Sequence, residues 1–192
     1  MDERDLLPDP LEQFRAWFDE APDRRESMAL ATADASGAPS VRMVLLKGFD
    51  ERGFVFHTNY GSRKGREVEA NPRAALLFYW REPGRQVRIE GAAERTSRED
   101  SEAYFRTRPV AARFSALASP QSEPVESRAD LEARVAEAQA RFGDDPPLPE
   151  TWGGLRVVPD AYEFWVHDED RLHDRFRYER DGGGWRSQRL GP

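Results

Sequence analysis

The hydrophobic pattern changes period early in the chain. From Pro10 to Ala21, the residues Leu11, Phe14, Trp17 and Phe18 recur at helical spacing and Pro22 stands just beyond, so the spacing predicts a helix over residues 10–21. From Ser27 the period becomes that of strands. Met28 to Thr32, a turn at Asp34 to Gly37, and Ser40 to Lys47 predict a hairpin whose second arm, Arg42 to Lys47, has a buried-type centre. Gly48 to Gly53 reads as another turn and Phe54 to Thr58 as a third strand. Connections this short favour antiparallel neighbours.

Ser62 then caps a short helix that runs to about Ala70 and stops at Asn71-Pro72. Ala74 to Trp80 and Gln86 to Ala93 predict a hairpin across Glu82-Pro83-Gly84. Ser97 and Ser127 each open a helical stretch, the second running to about Phe142, with a helical or irregular segment between them. After a proline-rich connector at Asp144 to Pro149, strands are expected at Leu155 to Val158, Ala161 to Val166, Arg171 to Arg180 and Trp185 to Leu190. Asp181 to Gly184 closes the last hairpin. The pattern implies a predominantly antiparallel β-barrel with helices. A single domain over residues 1–192 is expected, with an N-terminal helix at about 10–21 and a helical insertion at about 98–142.

Composition narrows the chemistry. With 5 Trp, 5 Tyr and 11 Phe among 192 residues the chain has the material for a core, although 34% of it is charged. The absence of cysteine removes disulfides and thiolate chemistry, and 3 His without metal-ligand spacing give no expectation of a metal. A net charge of -7 disfavours nucleic acid as a partner. The acidic, proline-containing start is unlike a signal peptide and no apolar run reaches membrane-spanning length, so a soluble cytoplasmic protein is expected. Within this acidic chain the basic spots Arg63-Lys64, Arg106/Arg108 and Arg171/Arg175 suit a small phosphorylated ligand.

Four segments carry candidate chemistry, and each has an ordinary structural reading beside it. Arg171, His173 and Arg175 share one face if they lie on a strand, spaced to grip an anionic heteroaromatic ring; a solvated strand face has the same pattern. Arg63 and Lys64 sit in the opening turn of a helix, where the macrodipole favours an anion; they also suit long side chains reaching into solvent. Tyr104 and Arg108 are four apart on one helix face, as a phosphate clamp or a packed pair. Arg42 and Lys47 end one strand with cations on opposite faces, while Gln86 and Gln121-Ser122 offer amide and hydroxyl groups to a ligand or to water. No Ser-His-Asp triad or phosphate-binding Gly-Lys loop is present, so an organic cofactor is the expected source of reactivity.

Taken together, Arg42-Met43-Val44-Leu45-Leu46-Lys47, Thr58 to Lys64, Arg85-Gln86-Val87, Tyr104 with Arg108-Pro109, Gln121-Ser122, Trp152-Gly153-Gly154, Glu163-Phe164-Trp165 and Arg171-Leu172-His173-Asp174-Arg175 resemble the pyridoxamine 5′-phosphate oxidase family, in order over nearly the whole chain. The resemblance implies an FMN-binding split β-barrel that works as a homodimer with FMN at the subunit interface. It assigns Arg42, Met43, Val44, Leu45, Leu46, Lys47, His57, Thr58, Arg63, Lys64, Gln86, Gln121, Ser122, Trp165 and Arg175 to FMN. It assigns Lys47, Tyr104, Arg108, Arg171 and His173 to a phosphorylated pyridine substrate, with Arg171 and His173 placing the reacting carbon. The implied reaction converts pyridoxine or pyridoxamine 5′-phosphate to pyridoxal 5′-phosphate. Dioxygen is the acceptor, hydrogen peroxide is formed, and the amine substrate also releases ammonia.

Three departures from the family pattern stand out. Ala112 occupies a position where a serine commonly contacts the substrate phosphate, and Arg113 or Ser115 is the expected substitute. His57 replaces a common tyrosine, and the chain opens close to its first helix, without the longer segment that covers the site in some members. Two alternatives stay open: a related FMN oxidase of phenazine-type biosynthesis, and a non-catalytic flavin- or pyridoxal-phosphate-binding protein on the same barrel.

Overall fold

A computed structural model describes residues 2–21 and 24–192; Pro22, the expected helix stop, lies outside the described residues. Helix α1 (Pro10–Glu20) starts where expected, because the Asp9 side chain accepts from the Leu11 N–H and Pro10 occupies a position whose N–H has no helical partner. Its inner face buries Phe14 and Trp17. The Phe14 ring meets Phe49, Phe54 and Phe78 edge-on with centroids 4.9–5.0 Å apart, which ties the helix to the heart of the sheet.

The sheet is antiparallel throughout and consists of β1 (Ser27–Ala33), β2 (Pro39–Leu45), β3 (Gly48–Asp50), β4 (Gly53–Asn59), β5 (Arg73–Trp80), β6 (Arg85–Arg95), β7 (Trp152–Val166), β8 (Asp174–Asp181) and β9 (Gly184–Arg189). Its order is β2-β1-β5-β6-β7-β4-β3, with β8 paired to β7 and β9 to β8. Strand β7 divides the structure. Trp152 to Val157 pair with β4 and Ala161 to Val166 pair with β8, while β6 runs along the other edge of both parts. After β2, the Lys47 N–H donates to the Val55 carbonyl at 2.8 Å and brings the chain back to β4. The result is a split barrel.

Four expectations change. The turn at 48–53 contains a strand, β3, because Phe49 stacks on its partner Phe54 at 5.7 Å and prolongs the hairpin. The two strands expected at 155–158 and 161–166 are one. Pro159, which has no N–H to donate, lies opposite a bulge at Glu90/Gly91, where the ladder is already interrupted. Gly91 is required there, since a Cβ would stand 2.0 Å from the Val158 carbonyl oxygen. Strand β2 is not buried: Val41 is 69% and Met43 64% exposed, because β2 is an edge strand paired only with β1. Finally, β8 begins at Asp174, so Arg171 to His173 are not on a strand.

Helices α2 (Arg63–Ala70), α3 (Arg98–Thr107) and α5 (Arg128–Phe142) are capped by Ser62, Ser97 and Ser127, each accepting from a backbone N–H three residues on. The segment left open between α3 and α5 is helical as well, α4 (Val110–Ala118). Phe105 of α3 packs edge-on against Trp152 at 5.3 Å, which holds the helical segment over the first turn of β7.

Candidate active site

Two groups of functional side chains form, at opposite ends of β7. The first surrounds a cavity of about 430 Å³ lined by Arg42, Met43, Val44, Leu45, Lys47, His57, Thr58, Lys64, Tyr104, Arg108, Gln121 and Trp152. Its wall is aromatic: His57 stacks on Tyr104 at 4.0 Å and on Trp152 at 5.2 Å. Two cations sit on this wall, Arg108 4.8 Å above the Trp152 ring and Lys47 6.0 Å from Tyr104. Burial, with Arg108 and Lys47 alongside, pushes His57 down to about 4, so the imidazole is neutral. Burial also pulls Arg108 below its ordinary value. One Arg108 terminal nitrogen (NH1) and His57 Nδ1 are buried without a hydrogen-bond partner among the described residues. A desolvated guanidinium beside a lysine, with no carboxylate bonded to either among the described residues, is a place for an anion.

The glycines of Trp152-Gly153-Gly154 make this wall possible. A Cβ at Gly153 would lie 2.1 Å from the Tyr60 hydroxyl, and one at Gly154 would lie 2.4 Å from Thr96 Oγ1 and 3.2 Å from His57 Nε2.

The cavity floor is set by two networks. Lys64 Nζ donates to Thr58 Oγ1, Ser62 Oγ and Gln121 Oε1 at 3.1–3.2 Å, and Gln121 Oε1 also accepts from Thr58 Oγ1 at 2.9 Å. Burial, then Arg42, lowers Lys64 to about 8, and Glu67 opposes the shift. Beside it Glu67, 5% exposed, accepts through Oε2 from Thr32 Oγ1, Ser40 Oγ and Arg42, and through Oε1 from Arg63 Nε at 2.8 Å. Burial alone would raise this carboxyl, but the hydrogen bonds from Ser40, Thr32, Arg63 and Arg42 outweigh it and hold Glu67 at about 2.

The second group lies where β6, β7 and β8 run side by side. Gln86 pairs with Trp165 and Trp165 with Arg175, so the three form one row across the sheet. Arg175 donates through Nε and NH2 to Glu163 Oε1 at 3.0 and 2.9 Å; Glu163, 2% exposed, also holds Arg88 at 2.8 Å. The His173 ring stands 4.6 Å from Trp165. Arg171 has φ 64, a left-handed backbone, and its N–H donates to the Asp168 carbonyl at 3.1 Å. The Asp168 N–H in turn donates to His173 Nδ1 at 3.1 Å. This loop, rather than strand alternation, brings Arg171 and His173 to the same end as Arg175, which corrects the shared strand face expected from sequence.

Four further expectations need correction or placement. Leu46 is turned into the core and does not line the cavity. Ser122 is exposed, with φ 71, outside the lining, and Arg63 extends into solvent at the cavity's margin. Of the two substitutes for the serine absent at Ala112, Arg113 faces away and pairs with Asp145 at 3.1 Å. Ser115 lies beside Arg108 in a small adjoining cavity of about 200 Å³. Sequence reasoning did not assign Trp152, Glu67 or Glu163 to either group. Trp152 was detectable as an aromatic before a Gly-Gly pair, whereas the two glutamates carry no local signal.

A family model described as pyridoxamine 5′-phosphate oxidase matches residues 12–142, and one described as a pyridoxine 5′-phosphate oxidase C-terminal dimerisation region matches residues 152–192. The chain belongs to the pyridoxamine 5′-phosphate oxidase family. Among curated members it is 60% identical to the pyridoxine/pyridoxamine 5′-phosphate oxidase of Rubrobacter xylanophilus, over 96% of this chain and 88% of that one. It is 56% identical to the enzyme of the same name from Burkholderia multivorans, over 100% and 93%. Among solved structures it superposes on PhzG of Burkholderia lata 383, in complex with tetrahydrophenazine-1-carboxylic acid. The TM-score is 0.90 and the identity 34%, covering 98% of this chain and 95% of that one. A pyridoxamine 5′-phosphate oxidase-related, FMN-binding protein of Nostoc punctiforme shares the fold, with TM-score 0.74 and 20% identity over 98% and 99%. The second group of side chains other than Gln86 and Arg88 lies within the segment matched as the dimerisation region. Among the described residues, no helix is long and apolar enough to cross a membrane.

Proposed function

We propose that the chain is an FMN-dependent oxidase, a cytoplasmic homodimer that converts pyridoxine and pyridoxamine 5′-phosphate to pyridoxal 5′-phosphate with dioxygen as acceptor. The observation that carries the reading is the anion-seeking corner formed by Lys47, Tyr104 and Arg108 against the His57–Trp152 wall, in a chain 60% identical to a relative of that name. A phosphate ester satisfies Arg108 and Lys47 in a way a neutral substrate does not.

The residues present fit FMN. The edge strand β2 leaves one row of backbone N–H and C=O groups without a strand partner among the described residues, which suits the polar rim of a flavin ring. Thr58, Lys64 and Gln121 line the same cavity, and Arg63 at the start of α2 is placed for the cofactor's phosphate. When bound, FMN would supply a two-electron acceptor for the hydride leaving the substrate's C4′ carbon and a route for those electrons, with two protons, to dioxygen as hydrogen peroxide.

The protein's own part is binding and placement. Lys47, Tyr104 and Arg108 hold the substrate phosphate, so the pyridine ring is delivered in one orientation. Arg171 and His173 approach the ring and its reacting carbon, while Gln86, Trp165 and Arg175 complete the cofactor's surroundings. We assign the two sets to different chains at one site, because Trp152 and Trp165 stand near opposite ends of the 15-residue β7, which spans up to about 40 Å between them at roughly 3.3 Å per residue. The site we propose therefore combines the first group of one subunit with the second group of another copy, and each dimer holds two such sites.

The test is to purify the protein, measure bound flavin, and supply pyridoxine phosphate and pyridoxamine phosphate under air. Formation of pyridoxal phosphate with peroxide is expected. Bound FMN with neither substrate turned over would refute the reading in favour of a binding protein. Turnover of a reduced phenazine carboxylate in their place would favour the phenazine-type oxidase that the likeness to PhzG keeps in view.

A further inference from the structure

Glu67 is buried at the border of the cavity, carries a full negative charge, and belongs to none of the residue sets described for cofactor or substrate. Its two oxygens have different tasks. Oε2 takes three donors, Thr32 of β1 and Ser40 and Arg42 of β2, and so ties α2 to the first hairpin. Oε1 takes one, Nε of Arg63, whose side chain is 61% exposed. A bond to so exposed a guanidinium adds little to the fold. It does fix the plane of the group and leave both terminal nitrogens without a partner among the described residues, on a side chain open to solvent. Lys64, the next residue, also depends on Glu67, which is the neighbour favouring its charged form against burial and Arg42.

We propose that Glu67 is a positioning residue for the phosphate of the cofactor, gathering Arg42 and Arg63 on one carboxylate so that a cationic cluster at the start of α2 is assembled before the phosphate arrives. The inference rests on the reading of that helix start as the FMN phosphate site. Without Glu67, Arg63 is free to rotate in solvent, and three neighbouring cations repel one another with no counter-charge between them.

The experiment compares FMN with riboflavin, which has the flavin ring and lacks the phosphate. Affinities are measured by quenching of flavin fluorescence on the full chain stripped of cofactor, for the unmodified protein, Glu67→Ala and Glu67→Gln. Glu67→Ala is expected to weaken FMN binding about tenfold, the worth of one charge-assisted hydrogen bond, and to leave riboflavin unchanged. Glu67→Gln, which keeps an acceptor for one arginine, is expected to recover part of the loss. Unchanged or tighter FMN binding in Glu67→Ala overturns the inference, and so does an equal loss for both flavins, which marks a purely structural role. Should Glu67→Ala not fold, Glu67→Gln decides by the same comparison. Equal affinity of the unmodified chain for FMN and riboflavin would overturn the phosphate reading itself, and the inference with it.

Discussion

If each active site needs the Arg108 cluster of one subunit and the Arg171 loop of another, two inactive variants will repair each other. Arg108→Ala removes a guanidinium proposed to hold the substrate phosphate, and Arg171→Ala removes the one presented by the loop before β8. Each loses charge-assisted hydrogen bonds worth about 1.5–3 kcal/mol, roughly a ten- to hundred-fold fall in kcat/KM. Because the two groups lie near opposite ends of β7, in a mixed dimer both lesions fall in one site and the other is intact. Random pairing makes about half the dimers mixed, so about a quarter of all sites are restored. The assay is co-expression with two different affinity tags, tandem purification of the mixed dimer, and pyridoxal phosphate formation under air, where about half the unmodified activity per dimer is expected. Lys47→Ala paired with Arg108→Ala is the control, since both belong to the first group and every mixed site then carries one lesion. A mixed Arg108→Ala/Arg171→Ala dimer no more active than its parents would refute the composite site.

His57 supplies a pH test. Its folded value of about 4 lies below its ordinary 6.5, so the unfolded chain takes up the proton first; the contribution is full above 6.5 and is lost as pH falls toward 4. The urea midpoint should therefore drop less across that window in His57→Phe than in the unmodified chain, and equal slopes would argue against a buried neutral imidazole. Gly91→Ala places a Cβ on the Val158 carbonyl; the bulge must rearrange, and a loss of about 2 kcal/mol or more is expected by denaturant unfolding. No loss would show that β6 and β7 can pair without the bulge. Phe14→Ala empties a fully buried aromatic site and should cost about 3–5 kcal/mol by the same measurement; a cost under about 1 kcal/mol would mean that α1 is not anchored through this ring.

Much of the fold was legible because its signals are local. Pro10 to Glu20 has a cap, an apolar stripe and a proline start, and Ser62, Ser97 and Ser127 each mark a helix by hydrogen bonds that span three residues. What was not legible depends on neighbours distant in sequence. Phe49 makes a strand of an expected turn because Phe54 lies across from it, and β7 passes through Pro159 because β6 bulges at that point. The exposed apolar residues of β2 look in sequence like a buried strand, since periodicity records alternation and does not record which face is covered.

The candidate site divides along the same line, and the division is physical. The cations could be found: Arg42, Lys47, Lys64, Arg108, Arg171 and Arg175 are six of 29 basic residues, and each falls in a segment that carries the family resemblance. Their counter-charges could not. Glu67 and Glu163 are two of 36 acidic residues, and nothing near them in sequence shows that each is buried between a pair of arginines from different elements. The consequence reaches Arg171, His173 and Arg175, which the sequence places on one strand face. Arg171 and His173 reach the end of the sheet through a loop closed on Asp168, and Arg175 is held there by Glu163, so three residues that seemed one motif are placed by two unrelated devices. Among the described residues Arg108 has no such carboxylate, and its buried terminal nitrogen lacks a partner. That contrast separates cations held by the protein from one left for a ligand, and it ties the proposed substrate end of the cavity to Arg108 more firmly than basic residue spacing does.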